Sequence, residues 1–370
     1  MQIAVPAETS PGELRVALTP DSVARLVKAG HAVRIQAGAG RRAGFPDASY
    51  ESVGATVAQG SSVYEGADLV CRVQPPSGDE IVAIPKGAAL LSLLHPGRNG
   101  VLLDTLARHG VTALALELVP RITRAQSMDV LSSQSTVAGY KAVLIGAAAL
   151  PKFLPMLTTA AGNVSPARVF IIGAGVAGLQ AIATARRLGG VVSAFDVRPA
   201  AREQVLSLGA TFVANDLVAA GAETAGGYAR AQSEDEAERT RSALANHVKD
   251  VDLVVTTAQI PGRPAPRLLT AEMVASMRPG AVIVDLAAES GGTCEITLAG
   301  ETVQSGTTTI IGPVNVPATV PYHASQMFGK NVLALVTHLS TKEGALSIDP
   351  TDEITGAMTV VRDGSVVART

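Results

Sequence analysis

Short apolar runs alternate with amphipathic segments along most of the chain, which is the pattern of an α/β fold. In the first 120 residues the apolar runs predict five strands, at residues 2–5, 33–35, 69–73, 88–94 and 111–118. Thr19 followed by Pro20 marks the start of a helix between the first two strands. Another helix is predicted over residues 100–109. This order predicts a mostly parallel sheet with helices on both faces.

The alternation continues around a glycine-rich turn in the middle of the chain. The apolar run 169–172 is followed by a G-x-G-x-x-G, which consists of Gly173, Ala174, Gly175, Val176, Ala177 and Gly178. A helical segment follows, and a second apolar run ends in Asp196, 18 residues after Gly178. This is the order of a dinucleotide-binding unit, in which the backbone approaches a pyrophosphate and the acid accepts a ribose hydroxyl. Asp196 favours NAD(H) over NADP(H), because a carboxylate repels a 2′-phosphate.

Loops at other strand ends extend this predicted nucleotide site. Further strands are predicted at residues 211–213, 251–256, 281–285 and 308–311. Ligands of open α/β sheets bind at the carboxyl ends of strands, so we expect four loops to converge, at 173–178, 196–198, 258–260 and 289–292. The added candidate cofactor-binding residues are Val197, Arg198, Ala258, Gln259 and Ile260. Two alternatives stay open, a surface salt bridge for Arg198 and a turn without a nucleotide for the whole motif.

Several segments do not follow the α/β alternation. Residues 120–135 are polar and contain five hydroxyl residues, which is typical of a surface loop. Residues 137–153 predict an Ala-rich helix, and 156–165 predict a hairpin with Gly162 and Asn163 at its tip. A long helix is predicted over 323–339, and the residues after it are predicted to be a polar tail with a short hairpin.

Composition and charge exclude several classes of protein. The chain has 370 residues, of which 47% are hydrophobic, and this is enough for two cores. A net charge of −2 gives no reason to expect nucleic acid as a partner. The two cysteines, Cys71 and Cys294, form no metal-ligand spacing, so no metal site is predicted, and they fit a reducing cytoplasm. Neither a secretory signal nor an apolar stretch long enough to span a bilayer is present in the sequence, which predicts a soluble protein.

Several motifs together resemble the alanine dehydrogenase/nicotinamide nucleotide transhydrogenase superfamily. They are E-x-R-V-A-L-T-P at 13–20, G-H at 30–31, Q-A-G-A-G at 36–40, His95, the glycines of 173–178, V-D-L-A at 284–287, the paired glycines at 291–292 and N-V-P at 315–317. The resemblance implies two Rossmann-like, doubly wound parallel-sheet domains separated by a cleft. Residues 1–130 with about 322–370 would form the first domain, and residues 131–321 the NAD(H)-binding domain.

Two stretches resemble the transhydrogenase branch and not the free amino-acid dehydrogenases. R-I-T-R-A-Q-S-M-D at 121–129 is similar to the loop that places the dihydronicotinamide, and E-T-A-G-G-Y-A at 223–229 is similar to a mobile flap over bound nucleotide. The resemblance implies that Arg121, Gln126, Asp129 and Ser132 position the nicotinamide. It also places Gly227 and Tyr228 against the nucleotide.

The same resemblance implies a reaction and partners. In the proton-translocating transhydrogenases, the NAD(H)-binding component passes hydride directly from NADH to NADP⁺ held on a soluble partner domain, and a transmembrane proton-channel subunit couples this to proton movement. The family's component is a homodimer. This chain is therefore expected to be a cytoplasmic protein on the inner face of a membrane, held there by its partner subunits.

Position 74 separates the two branches chemically. In alanine dehydrogenases a catalytic Lys stands in the motif that here reads R-V-Q-P at 72–75, so Gln74 takes its place. Reductive amination needs an acid/base group, which an amide does not supply near neutral pH. Hydride transfer between two nicotinamides needs only two rings held roughly 3–3.5 Å apart. Because Arg15 and His95 are retained, a free alanine dehydrogenase stays an alternative, as does a non-catalytic NAD(H)-binding module.

Overall fold

A computed structural model describes residues 1–214, 230, 233–259 and 264–367. The chain divides into two compact units, of which the first comprises Met1–Gln134 with Pro317–Thr370 and the second comprises Ser135–Val316. These divisions lie a few residues from the domain boundaries that the sequence predicts, at 130/131 and 321/322.

The strands and helices of the described ranges are named in chain order. The strands are β1 (Gln2–Val5), β2 (Ala32–Gln36), β3 (Thr56–Ala58), β4 (Leu69–Cys71), β5 (Ala89–Ser92), β6 (Thr112–Ala115), β7 (Leu157–Thr159), β8 (Gly162–Val164), β9 (Arg168–Ile172), β10 (Val191–Phe195), β11 (Thr211–Phe212), β12 (Leu253–Thr256), β13 (Val282–Asp285), β14 (Thr302–Ser305), β15 (Thr308–Ile311), β16 (Thr359–Arg362) and β17 (Ser365–Val366). The α-helices are α1 (Pro20–Lys28), α2 (Asp47–Glu51), α3 (Gly78–Ala83), α4 (Gly100–His109), α5 (Val130–Ala149), α6 (Val176–Arg187), α7 (Pro199–Ser207), α8 (Glu234–Val248), α9 (Ala271–Ala275), α10 (Pro321–His338) and α11 (Glu353–Met358).

The first unit is built on a sheet with the strand order β3-β2-β1-β4-β5-β6-β16-β17. Its first six members run parallel, and β16 and β17 are added antiparallel at the edge. The parallel part has the 3-2-1-4-5-6 order of a doubly wound Rossmann sheet. Ile3 and Val5 belong to one apolar core and Ala4 to another, so both faces of the sheet are covered.

The second unit repeats this architecture. Its sheet has the order β11-β10-β9-β12-β13-β15-β14, and only β14 runs antiparallel to its neighbour among these strands. Val169 and Ile171 of β9 pack into one core, while Phe170 and Ile172 pack into the other. The predicted α/β class with two doubly wound sheets is confirmed. In the described ranges, no helix is long and apolar enough to cross a membrane.

Three predicted segments differ in the structure. Ser132 and the residues up to Ser135, predicted as loop, lie in α5, because Asp129 caps this helix by accepting a hydrogen bond from the Ser132 N–H at 2.8 Å. The hairpin β7–β8 turns two residues earlier than predicted, since Gly162 already pairs with Thr159. The predicted polar tail instead forms α11, β16 and β17. Its strands are too short for a periodic signal and are fixed by pairing with β6, which is distant in sequence.

Candidate functional site

The glycine-rich turn between β9 and α6 is shaped by contacts that only glycine permits. Gly173 has a φ of +93°, and a Cβ on Gly178 would lie 1.9 Å from the Gly173 carbonyl oxygen. Helix α6 therefore packs on the turn at backbone distance. A Cβ on Gly175 would meet only an Arg198 guanidinium nitrogen, at 3.9 Å. The Gly175 backbone is thus open to an approaching pyrophosphate, which is the role of the second glycine in such turns.

The start of α6 adds an electrostatic site for an anion. Gly175 is the N-cap, and it has no side chain to accept from the N–H groups of the first turn. These N–H groups carry the positive end of the helix dipole and are the usual ligands of a phosphate at a helix N-terminus. The turn and the helix start therefore fit the diphosphate of a dinucleotide.

Asp196 lies beside this turn and is held by four hydrogen bonds. The Ala174 N–H donates to its Oδ2 at 2.7 Å, and the Arg198 N–H donates to its Oδ1 at 2.9 Å. The Arg198 guanidinium donates to both oxygens, each at 2.9 Å. Of the two roles left open for Arg198, a salt bridge is present, and its partner is the ribose-binding candidate itself.

Other strand-end loops of the second unit meet the turn as predicted from strand order. The Thr257 hydroxyl donates to the Gly173 carbonyl at 3.0 Å. The Gln259 amide donates to the Ser290 hydroxyl at 3.0 Å, so the loops after β12 and β13 are linked. Val197, between Asp196 and Arg198, is half-buried against the core. The remaining predicted nucleotide contacts, Gly227, Tyr228 and Ile260, lie outside the described residues.

Asp285, at the end of β13, is a fully buried residue that the sequence reasoning did not single out as part of the site. Its carboxylate accepts hydrogen bonds from Thr256, Ala287, Thr293, Cys294 and Thr297, at 2.7–3.0 Å. The bonds tie the loop after β13 to the end of β12. The signal that points to it is an acid at the end of an apolar strand in the V-D-L-A motif.

We expect Asp285→Ala to lower the free energy of unfolding by ~3 kcal/mol or more, because it leaves several buried donors without their acceptor. Urea unfolding followed by circular dichroism measures this. Asp250→Ala is the matched control, since Asp250 is an exposed carboxylate and its salt bridge with Arg278 contributes about 1 kcal/mol or less. Equal stability of the two variants would contradict the anchoring role of Asp285.

The polar segment of the first unit, residues 121–132, combines an anchored backbone with exposed side chains. Asn331 of α10 donates to the Ser127 carbonyl at 2.8 Å, and Arg124 pairs with Asp352 at 2.9 Å. Ala125 and Met128 are buried in the core below. Gln126 is exposed, and no hydrogen bond of its side-chain amide is found within the described ranges. The segment can therefore present a donor and an acceptor to a ligand without moving its backbone.

Three of the candidate residues in this segment are linked to one another. The Asp129 carboxylate accepts from the Ser132 N–H at 2.8 Å and from the Ser132 hydroxyl at 2.6 Å. The Arg121 Nε lies 3.7 Å from the Asp129 Oδ2. Asp129 thus fixes the start of α5 and orients Arg121, whose guanidinium is partly exposed.

The switch point of the first sheet, between β1 and β4, is occupied by the chain's own side chains. Glu8 accepts from the Val73 and Gln74 N–H groups at 2.6 and 3.2 Å, and the fully buried Arg72 pairs with Glu80 at 2.6 Å. Burial raises the pKa of the Glu8 carboxyl, although the Arg72 guanidinium opposes this. Nothing here resembles the open turn at Gly175.

The dehydrogenase-type residues of the first unit form a separate polar network. Gln74 donates through its side-chain amide to Glu13 at 2.9 Å, and Arg15 pairs with the same carboxylate at 2.7 Å. His95 has a φ of +49° and an exposed ring, and its backbone N–H donates to Glu117. Position 74 therefore contributes an amide already used within the chain, and not an acid or base.

Sequence comparison decides the family. The profile of the alanine dehydrogenase/PNT N-terminal domain matches residues 4–138, and that of the C-terminal domain matches residues 142–369. The chain belongs to the alanine dehydrogenase/PNT family. It is 45% identical to the first part of NAD(P) transhydrogenase subunit alpha of Rhodospirillum rubrum, a separate chain there, over 99% of this chain and 98% of that protein. It is 42% identical to NAD(P) transhydrogenase subunit alpha of Haemophilus influenzae, over 99% of this chain and 72% of that protein.

Both branches of the family are found among solved structures. A transhydrogenase from Sinorhizobium meliloti matches with a TM-score of 0.90 and 43% identity, covering 99% of this chain and 100% of that chain. An L-alanine dehydrogenase matches with a TM-score of 0.83 and 30% identity, covering 99% and 97%. The alanine dehydrogenase of Mycobacterium tuberculosis is 32% identical over 94% of each chain. These values confirm the predicted resemblance to the transhydrogenase branch.

Proposed function

We propose that this chain is the NAD(H)-binding component of a proton-translocating NAD(P) transhydrogenase. In this function hydride passes directly between NADH on this chain and NADP⁺ held on a partner subunit, and a membrane subunit couples the transfer to proton translocation. The observation that supports it most is the full-length likeness to the Rhodospirillum rubrum transhydrogenase chain. The open Gly175 turn supports the nucleotide half of the proposal.

The second unit would hold the adenosine and diphosphate end of NAD(H). The Gly175 backbone and the first turn of α6 would receive the diphosphate, and Asp196 the ribose hydroxyls. Ala174 holds the Asp196 carboxylate through its N–H. Further contacts would come from Val176, Val197, Arg198, Ala258 and Gln259, which line the same strand ends, and from Gly227, Tyr228 and Ile260.

The first unit would position the nicotinamide, which supplies the hydride when NADH is bound. Gln126 has the amide needed to donate to and accept from a carboxamide. Arg121 would provide a cation, and Asp129 and Ser132 would hold that cation in place. Positioning alone suffices for this reaction, because hydride transfer between two nicotinamides moves no proton at the reacting carbons.

Partners complete the proposed enzyme. We expect a soluble NADP(H)-binding domain and a transmembrane proton-channel subunit, and we expect the chain to lie on the inner face of a membrane through them. A homodimer is expected as well. The hairpin β7–β8, whose residues are mostly exposed, is our candidate for contact between the two copies.

An absorbance assay separates this function from a free alanine dehydrogenase. The chain alone, given NADH, pyruvate and ammonia, is expected to leave NADH unoxidised, because Gln74 cannot serve as the acid or base of reductive amination. The same preparation, mixed with an NADP(H)-binding transhydrogenase subunit and NADP⁺, is expected to form NADPH. NADH oxidation by pyruvate and ammonia would favour the dehydrogenase, and nucleotide binding without any transfer would favour a non-catalytic module.

A further inference from the structure

The Arg198 guanidinium lies where a bound ribose would be expected to approach Asp196. It donates from Nε to Oδ1 and from Nη2 to Oδ2 of the carboxylate, both at 2.9 Å. Backbone N–H groups use the other acceptor positions of the two oxygens. A carboxylate offers about four such positions, so ribose hydroxyls can bind only by replacing the guanidinium. Only 7% of the Asp196 side chain and 15% of the Arg198 side chain are exposed.

The same guanidinium also lies near the glycine-rich turn. Its Nη2 is 3.9 Å from the position that a Cβ on Gly175 would take. The cation therefore stands between the proposed diphosphate position at Gly175 and the proposed ribose position at Asp196. A planar guanidinium is the side chain best suited to bind a phosphate with two parallel hydrogen bonds.

We propose that Arg198 is a specificity-determining residue, a 2′-phosphate ligand that Asp196 keeps out of use. This inference rests on the proposed binding of a dinucleotide at residues 173–198. With Asp196 present, ribose hydroxyls can take the place of the guanidinium, whereas a 2′-phosphate meets the carboxylate and is repelled. Without the carboxylate, the guanidinium is the nearest cation to the 2′-position, and the site accepts NADP(H).

The chain supplies a matched control cation in the same helix. Arg202 is exposed in α7, four residues after Arg198, and it makes no contact with Asp196 among the described residues. If any cation near the helix start sufficed for NADP(H), removal of Arg202 would matter as much as removal of Arg198. The proposal assigns the effect to Arg198 alone.

The test measures dissociation constants of NADH and NADPH for the full chain by nucleotide fluorescence. D196A is expected to bind NADPH at least tenfold more tightly than the unaltered chain and to bind NADH more weakly. The NADPH gain should persist in D196A/R202A, disappear in D196A/R198A, and fall as salt is added. No gain in D196A, or an equal gain in D196A/R198A, would overturn the proposal.

A second variant guards against a folding defect. D196N removes the charge but keeps an oxygen that can accept from the Ala174 N–H, so it is expected to show a gain of the same direction. Thermal unfolding verifies that each variant is folded. If the unaltered chain does not bind NADH, the proposed function and this inference both fail. If it binds NADH but neither folded Asp196 variant gains NADPH affinity, this inference alone fails.

Discussion

Gly178→Ala is expected to raise the dissociation constant for NADH at least ~100-fold. The new Cβ would lie 1.9 Å from the Gly173 carbonyl oxygen and 3.1 Å from the Thr257 hydroxyl. The first contact is with backbone, which cannot rotate away, so α6 must move relative to β9. Such overpacking costs ~1–3 kcal/mol by itself, and the movement also displaces the N–H groups proposed to bind the diphosphate. Together these losses correspond to about two powers of ten in affinity.

Gly175→Ala is the matched comparison within the same turn. Its Cβ meets no atom of the described protein closer than 3.9 Å, and its φ of −74° suits alanine. We expect Gly175→Ala to keep the melting temperature of the unaltered chain while it weakens NADH binding, because the methyl group occupies the proposed diphosphate position. Fluorescence titration and thermal unfolding of both variants measure this. NADH binding by Gly178→Ala within threefold of the unaltered chain would contradict the account of the turn.

Gln126→Ala is expected to slow hydride transfer about 100-fold while the dissociation constant of NADH changes only a few-fold. The amide is proposed to fix the orientation of the carboxamide, and a misplacement of about 1 Å at a reacting centre costs roughly this factor. Most of the binding energy would come from the second unit, so affinity is kept. Single-turnover kinetics with an NADP(H)-binding subunit gives the rate, and titration with NADH gives the affinity.

Gln59→Ala controls for the loss of an exposed glutamine in the first unit. Gln59 is exposed and precedes a 3₁₀ turn far in sequence from the polar segment 121–132, so this variant should transfer hydride at the unaltered rate. A loss in Gln126→Ala that follows reduced NADH affinity in full would show a binding role instead of a positioning role. An unchanged rate would remove Gln126 from the proposed site.

Local backbone requirements explain why the nucleotide turn was predictable from sequence. Gly173, Gly178 and Asp196 each meet a requirement set by neighbours in a βαβ unit, namely a positive φ, a close helix–strand approach and an acceptor at a strand end. The sequence pattern therefore carries the geometry. The order of both sheets followed from the same alternation of strands and helices.

Contacts between distant residues explain what the sequence left open. Asp285 draws its hydrogen bonds from Thr256 on one side and Thr297 on the other, and no spacing along the chain announces this. β16 becomes a strand by pairing with β6, which precedes it by more than 200 residues. The pairing of Arg198 with Asp196 depends on side-chain conformation, and a D-x-R sequence is equally compatible with an exposed arginine.

Isotope transfer is the most direct test of the central claim. The chain would be mixed with an NADP(H)-binding transhydrogenase subunit, NADP⁺ and NADH that carries deuterium at the transferred position, and the NADPH would be examined by mass spectrometry. The account predicts that deuterium appears in NADPH without loss to water, and only when both proteins are present. NADPH without the label, or no transfer with the partner present, would contradict it.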